Sequence, residues 1–241
     1  DPNLRNILGQ TPLHLCAKGG HLALFLYIMS RGGNPFLIDL NGSSCLVLAI
    51  IAGAADIVSL ILRQPGASAL LSYPDLIGQL PIHVAIMESK IKITKILIDA
   101  GVDLTTEHEN ISPVEMAIMM RNPGILELLI ESGAPIFPQF LTLAVIYGNA
   151  LSVKILLERG IDPNVPGVTN SYPIHHAVSA RLSDIITMLL DAGADPNVVD
   201  NIGARPIDYV TPNMYLWAQL VMAGAITDAE VDINYEPPSN G

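Results

Sequence analysis

The apolar residues of this chain fall into short blocks of about two helical turns, each ended by a glycine or a small polar residue. The stretch from Cys45 to Leu62 is almost wholly apolar, yet Gly53 and Asp56 interrupt it near its middle. That pattern predicts two short helices with a bend between them rather than one membrane-crossing helix. The same reading holds along the chain. A first helix breaks at Gly20, Gly53 or Gly148, and a second, such as Leu22–Ser30 or Ser152–Glu158, stops at a glycine suited to a left-handed cap. A helix pair this short cannot bury its apolar side alone, so neighbouring pairs must stack into a one-dimensional solenoid.

The blocks recur in register. Gly9-Gln-Thr-Pro-Leu-His-Leu15, Gly78-Gln-Leu-Pro-Ile-His-Val84 and Ser171-Tyr-Pro-Ile-His-His176 are versions of one unit. Its proline slot is filled by Pro12, Cys45, Pro81, Pro113, Phe140, Pro173 and Pro206, at spacings of 33, 36, 32, 27, 33 and 33. Thr11 or Ser112 makes a good N-cap, and a proline just after it sits where its missing N–H costs nothing. Each unit closes on glycine followed by a turn sequence, as in Gly32-Gly33-Asn34-Pro35, Gly101-Val102-Asp103, Gly160-Ile161-Asp162-Pro163-Asn164 and Gly193-Ala194-Asp195-Pro196-Asn197. The Asp-Pro-Asn and Asp-x-x-Gly letters then predict an extended hairpin leading to the next unit. Asp1-Pro2-Asn3 stands in the register of Asp195-Pro196-Asn197, so the amino terminus reads as the tail of a unit in a longer array.

The Thr-Pro-Leu-His motif, the period and the closing glycine resemble the ankyrin repeat. The resemblance covers essentially residues 1–225 and implies an all-α solenoid of helix-turn-helix units joined by β-hairpin loops. Seven repeats are expected at about 1–38, 39–74, 75–106, 107–136, 137–166, 167–199 and 200–225, in a single domain, with 226–241 a loose tail or the start of a missing repeat. Three departures stand out. Repeat 2 carries an insertion, Gln64–Asp75, in its closing loop. Repeat 4 is short: Gly133-Ala-Pro-Ile136 runs almost directly into Phe140, which predicts a missing hairpin and a bend. Repeat 7 has Thr211-Pro212-Asn213 where its first helix should end.

Composition narrows the function. Of 241 residues, 50% are hydrophobic and 15% charged, as in a folded protein. Twelve scattered Lys and Arg against a net charge of −11 argue against nucleic acid. Two cysteines make no disulfide framework, which favours a reducing intracellular setting, cytoplasm first and nucleus second. No phosphate loop, paired carboxylates or metal-spaced ligands appear, so neither an enzyme nor a cofactor or metal is expected.

Single residues add little chemistry. His14, His83 and His175 share one slot in separate repeats, too far apart to meet on a metal, and each is expected to tie its own turn by hydrogen bonds. His176 reads as a satisfied core or rim histidine. Cys16 and Cys45 read as packed thiols with no base beside them. Asn34-Pro35-Phe36 matches a tripeptide that some endocytic adaptors bind, but Asn-Pro there also suits the closing hairpin.

The resemblance does imply a binding face. Ankyrin arrays use a concave surface made of hairpin tips and the last exposed residues of each first helix. Here those slots hold Lys18 and Gly19, Ile51 and Ala52, Met87 and Glu88, Met119 and Met120, Ile146 and Tyr147, and Ser179 and Ala180. Repeats 2 to 5 thus offer Ile51, Met87, Met119, Met120, Ile146 and Tyr147, with Leu40, Leu76, Ile77 and Ile111 at the tips, where water favours polar groups. Methionine suits varied apolar shapes. Burying four such side chains at about 1.5–3 kcal/mol each would supply useful affinity before the ordering costs of association. Asp39, Asp75, Glu88, Glu107 and Glu109 border the strip. The expected partner is a protein segment, an amphipathic helix or an extended peptide with basic flanks, with no nucleic acid and no membrane insertion. A shift of one residue in register would instead turn the same side chains inward as core, and segments outside this chain could cover them. The main expectation is a non-catalytic interaction scaffold or adaptor. The alternatives are the recognition domain of a palmitoyltransferase or ubiquitin-ligase subunit, and a transcription regulator like the inhibitors of κB.

Overall fold

A computed structural model describes residues 1–167, 170–210 and 214–227. Repeat 1 contributes α1 (Pro12–Gly19) and α2 (Leu22–Ser30), repeat 2 α3 (Cys45–Ile51) and α4 (Ala55–Leu62), and repeat 3 α5 (Pro81–Met87) and α6 (Ile91–Asp99). Then come α7 (Pro113–Met119) and α8 (Pro123–Glu131), α9 (Gln139–Ile146) and α10 (Ala150–Glu158), and α11 (Pro173–Ser179) and α12 (Ser183–Asp191). Repeat 7 shortens its first helix to a 3-10 turn, Pro206–Tyr209, before α13 (Met214–Met222). Among the described residues, β pairing is limited to the isolated bridges Ile38–Ser44 and His108–Ile111, so the fold is an all-α solenoid of helix pairs. Thr211-Pro212-Asn213 and residues 228–241 of the expected tail lie outside the described residues.

The chain divides into two compact units, Asp1–Pro135 and Ile136–Gly241. In the first, the inner helices α1, α3, α5 and α7 pack in sequence, and the outer helices α2, α4, α6 and α8 do the same behind them. In the second, α9 packs on α11 and α10 on α12. The division falls where Gly133 to Pro138 leads into α9 with no hairpin, so the usual connection between repeats is absent there.

Local chemistry sets the helix starts. Ser112 accepts from Glu115 N at 3.2 Å while the Glu115 carboxylate accepts from Ser112 N at 2.8 Å, a reciprocal cap. Asn149 accepts from Ser152 N at 3.2 Å, so α10 begins at Ala150, two residues before the expected Ser152. The bend between paired helices needs one left-handed residue. Gly20, Gly53 and Gly148 supply it at φ 68°, 71° and 59°, and Gly53 splits the apolar stretch Cys45–Leu62 into α3 and α4. No described helix is long and apolar enough to cross a membrane. In repeats 3, 4 and 6 the same slot holds Ser89, Arg121 and Arg181 at φ 53°, 51° and 58°. The turn is imposed there by its flanking helices against each residue's own preference.

Hairpin tips are organised by an Asx side chain three residues before a glycine. Asn6 Oδ1 accepts from Leu8 N and Gln10 N, both at 2.9 Å. Asp39 Oδ1 accepts from Asn41 N at 2.9 Å and Ser43 N at 2.8 Å. Asp75 and Asp200 repeat this with Ile77 and Gln79, and with Ile202 and Ala204. Repeat 4 differs: His108 stands in the Asx slot, and Glu109 and Asn110 form a two-residue turn with both φ positive.

The histidines of the repeated unit act locally. His14 Nδ1 accepts from Thr11 N at 3.1 Å, with the Thr11 hydroxyl 2.8 Å away. His175 Nδ1 accepts from Tyr172 N at 3.3 Å, and its Nε2–H donates to Ala204 O of the next hairpin at 3.0 Å. His83 lacks a polar cap partner, since Leu80 precedes its helix, and only Nε2 is used, toward Thr106 O at 3.3 Å. His176 is a correction: it is half-buried, and its Nε2 has no hydrogen-bond partner among the described residues. Burial holds the pKa of His14, His83 and His175 below 6.5. Each binds a proton more readily unfolded than folded, so stability is full above 6.5 and declines as pH falls through it. Thermal midpoints measured from neutral pH downward should fall below about pH 6.5, with a shallower slope in His83→Gln.

The core is Leu, Ile, Val and Ala, with Phe25 and Phe140 the largest fully buried side chains. The insertion in repeat 2 forms a 3-10 helix, Ala67–Ser72, that tucks Ala67, Leu70 and Leu71 against the stack. Cys16 and Cys45 are free and buried, and burial pushes the Cys45 thiol up to about 12, which leaves it unreactive at neutral pH.

Candidate functional site

The inner helices α3, α5 and α7 end at equivalent slots in the first compact unit. Each first helix is closed by one more turn residue, Ala52, Glu88 or Met120, and the chain then reverses through Gly53, Ser89 or Arg121. The reversal lifts the last side chains out of the helix packing. Ile51 and Met87 at this slot are therefore exposed, Met87 at 42%, as is the turn residue Met120 at 42%, while the adjacent Ile50, Ile86 and Ile118 are fully buried. Met119 is half-buried. Glu88 is exposed beside Met87, and Gln79 Nε2 lies 3.5 Å from the Met87 sulfur.

The tips form a second row. Leu40, Leu76 and Ile77 are exposed and Ile111 is half-buried. The tips are knitted to one another: Leu40 N donates to Leu8 O at 3.0 Å. A Cβ at Gly9 would stand 2.9 Å from Leu40 Cγ, and one at Gly42 3.0 Å from Leu76 Cγ. Leu40 and Leu76 thus each lie over the glycine of the preceding tip, which ties neighbouring tips into one row.

Ile146 and Tyr147 occupy the same slot at the end of α9, in the second compact unit; Ile146 is exposed and Tyr147 half-buried. In repeats 1 and 6 the slot is exposed but filled by Lys18 and Ser179, so its apolar character belongs to repeats 2 to 5. Sequence reasoning missed Ile7 and Leu8 at the first tip, both exposed. The Asn6-x-x-Gly9 register, identical to that of Asp39 and Asp75, is the signal that finds them.

The acidic border needs correction. Asp39 is buried, with one carboxylate oxygen capping its own turn and the other accepting from Gln10 Nε2 at 3.1 Å. Asp75 is half-buried and turned to its own hairpin in the same way. Their charges are spent on architecture, which leaves Glu88, Glu107 and Glu109 as the exposed acids of this region. Asn34 is likewise structural: its N–H donates to Asn3 Oδ1 at 2.8 Å and its own Oδ1 accepts from Phe36 N at 2.9 Å. Among the described residues, no three His, Cys, Asp or Glu side chains are grouped to hold a metal ion.

A family model for ankyrin repeats in three copies matches residues 1–72 and 137–200, more than half of the chain. The nuclear factor NF-kappa-B p105 subunit of Gallus gallus is 29% identical over 172 residues, 68% of this chain. The match takes in 18% of that protein, so the chain spans less than a fifth of this relative's length. The ankyrin repeat domain of human ASB11 superposes with a TM-score of 0.72 at 22% identity, covering 90% of this chain and all of that one. That of Bcl-3, a member of the IkappaB family, gives 0.74 at 21%, covering 89% and 99%. Both structural likenesses concern the fold. The recurring caps, tips and closing turns, together with the matched family model, show that this chain belongs to the ankyrin-repeat family.

Proposed function

We propose that this array, in a fold that serves as a protein-interaction module, holds a partner polypeptide on the apolar ends of α3, α5 and α7 and the tips beside them. One observation carries the reading: at a slot that repeats 1 and 6 fill with Lys18 and Ser179, three consecutive repeats carry Ile51 and Met87, both exposed, and Met119, half-buried with the exposed Met120 next to it. Water favours the polar choice, and nothing in the helix requires the apolar one. Leu40, Leu76, Ile77 and Ile111 extend the strip and Met119 belongs to it in this reading, while Ile146 and Tyr147 offer the same kind of apolar contact within the second compact unit. Glu88, Glu107 and Glu109 favour a partner with Lys or Arg beside its apolar ridge, an amphipathic helix or an extended segment. The array itself performs no catalysis.

The test replaces Ile51 and Met87 together by lysine, the residue repeat 1 already carries at this slot. Lysine suits a helix C-terminus, so thermal unfolding should stay within about 2 °C of the parent. Anisotropy titrations use a panel of amphipathic peptides with Lys-flanked apolar faces and matched Glu-flanked controls. Binding should favour the Lys-flanked set and weaken by at least about tenfold in the double variant. Equal binding by parent and variant, or a collapse of the fold, rejects this face.

A second reading, a transcription regulator like the inhibitors of κB, is favoured by the match to the p105 subunit. It requires tight binding to a basic nuclear-localisation segment, which the same titration measures when such a peptide is added to the panel.

A further inference from the structure

The outer face of repeat 1 is built like an internal surface. Leu24 in α2 is 49% exposed, whereas Ile57, Ile93, Ile125 and Ile185 at the same slot of α4, α6, α8 and α12 are exposed by 2% or less. Leu15 in α1 is 50% exposed, while Val84 and Met116 in its slot stand at 5% each. Pro12 is half-buried, and Pro81, Pro113 and Pro173 are buried. Tyr27 and Ile28 complete the patch and line, with Pro2, Pro12 and Arg31, a cleft of 440 Å³. A repeat that ends an array presents a polar outer face. In this one Pro12, Leu24 and Ile28 stand open at slots that repeats 2 to 6 bury.

The hydrogen bonds point to what covers it. Asn164, in the closing Asp-Pro-Asn of repeat 5, donates to Gly193 O at 2.8 Å and accepts from Asp195 N at 2.7 Å in the closing turn of repeat 6. Asn197 does the same one repeat on, with Gly224 O and Ile226 N. Asn3 donates to Gly32 O at 3.0 Å and accepts from Asn34 N at 2.8 Å in the closing turn of repeat 1. Asp1-Pro2-Asn3 is therefore seated on repeat 1 as the end of one repeat is seated on the next. We propose that the face formed by Leu15, Leu24, Tyr27 and Ile28 is a repeat-to-repeat interface whose occupant is a further ankyrin helix pair, the one that Asp1-Pro2-Asn3 closes. The interface continues outward, by one step, the packing that joins α1 to α3 and α2 to α4.

The experiment joins a copy of residues 171–194 ahead of Asp1. In its native place this segment runs from Ala194 straight into Asp195-Pro196-Asn197, so the junction reproduces a natural one. Amide exchange of α2 should slow by at least about tenfold in the extended chain, and Leu24→Lys should abolish that gain while changing little in the unextended chain. Unchanged exchange in α2, or a gain indifferent to Leu24→Lys, overturns the assignment. Sedimentation of the unextended chain supplies a second readout. A monomer at all concentrations supports the proposal, and a dimer abolished by Leu24→Lys overturns it by giving the face to a second copy.

Discussion

Leu97→Ala is expected to lower the unfolding free energy by about 3 kcal/mol, read from the urea midpoint at constant slope. Leu97 lies in the third of four stacked repeats of the first compact unit and is fully buried, in a helix that packs on α5 within its repeat and on α4 and α8 to either side. Truncation removes the transfer free energy of the side chain and leaves a void that three helices must close on. Neighbours in a linear stack supply most of one another's stability, so a loss in the middle is felt by repeats on both sides. The same substitution at Leu26, which is exposed in α2, should cost less than about 1 kcal/mol. Equal losses at the two sites would show that the outer helices do not bury Leu97 as described.

Asp39→Ala should cost about 2 kcal/mol in the same measurement. The substitution removes the acceptor for Asn41 N and Ser43 N and strands Gln10 Nε2, 3.1 Å from the other oxygen. Hydrogen bonds to a carboxylate are worth more than neutral ones, and the donors left behind at a half-buried turn are only partly rescued by water. Asp39→Asn is the decisive control, because Asn6 performs the same task in repeat 1 with one amide oxygen. It should retain most of the stability. A loss as large as that of alanine would mean the negative charge, not the acceptor geometry, holds the tip.

The repeat architecture was legible because each local signal agreed with its neighbours. Proline after Thr11 or Ser112, glycine at the bend and Asp-x-x-Gly at the tip act within a few residues, where backbone preferences decide. Other features depended on distant partners. Asp39 and Glu88 look alike as letters, yet one is consumed by its hairpin and the other faces water. The slot of Ser89, Arg121 and Arg181 carries no residue that favours a left-handed turn, so only the recurring frame located the bend. The insertion in repeat 2 reads as a loop until Leu70 and Leu71 are seen against the stack.

By themselves the residues determined the helix pairs, their period and the family, since caps, breaks and apolar spacing are written locally and recur from repeat to repeat. Exposure was decided by stacking. Leu24 and Ile57 carry the same kind of side chain at the same slot, and only the presence of a neighbour makes one core and the other surface. Solvent exclusion is a property of what stands opposite, which no single stretch of sequence contains.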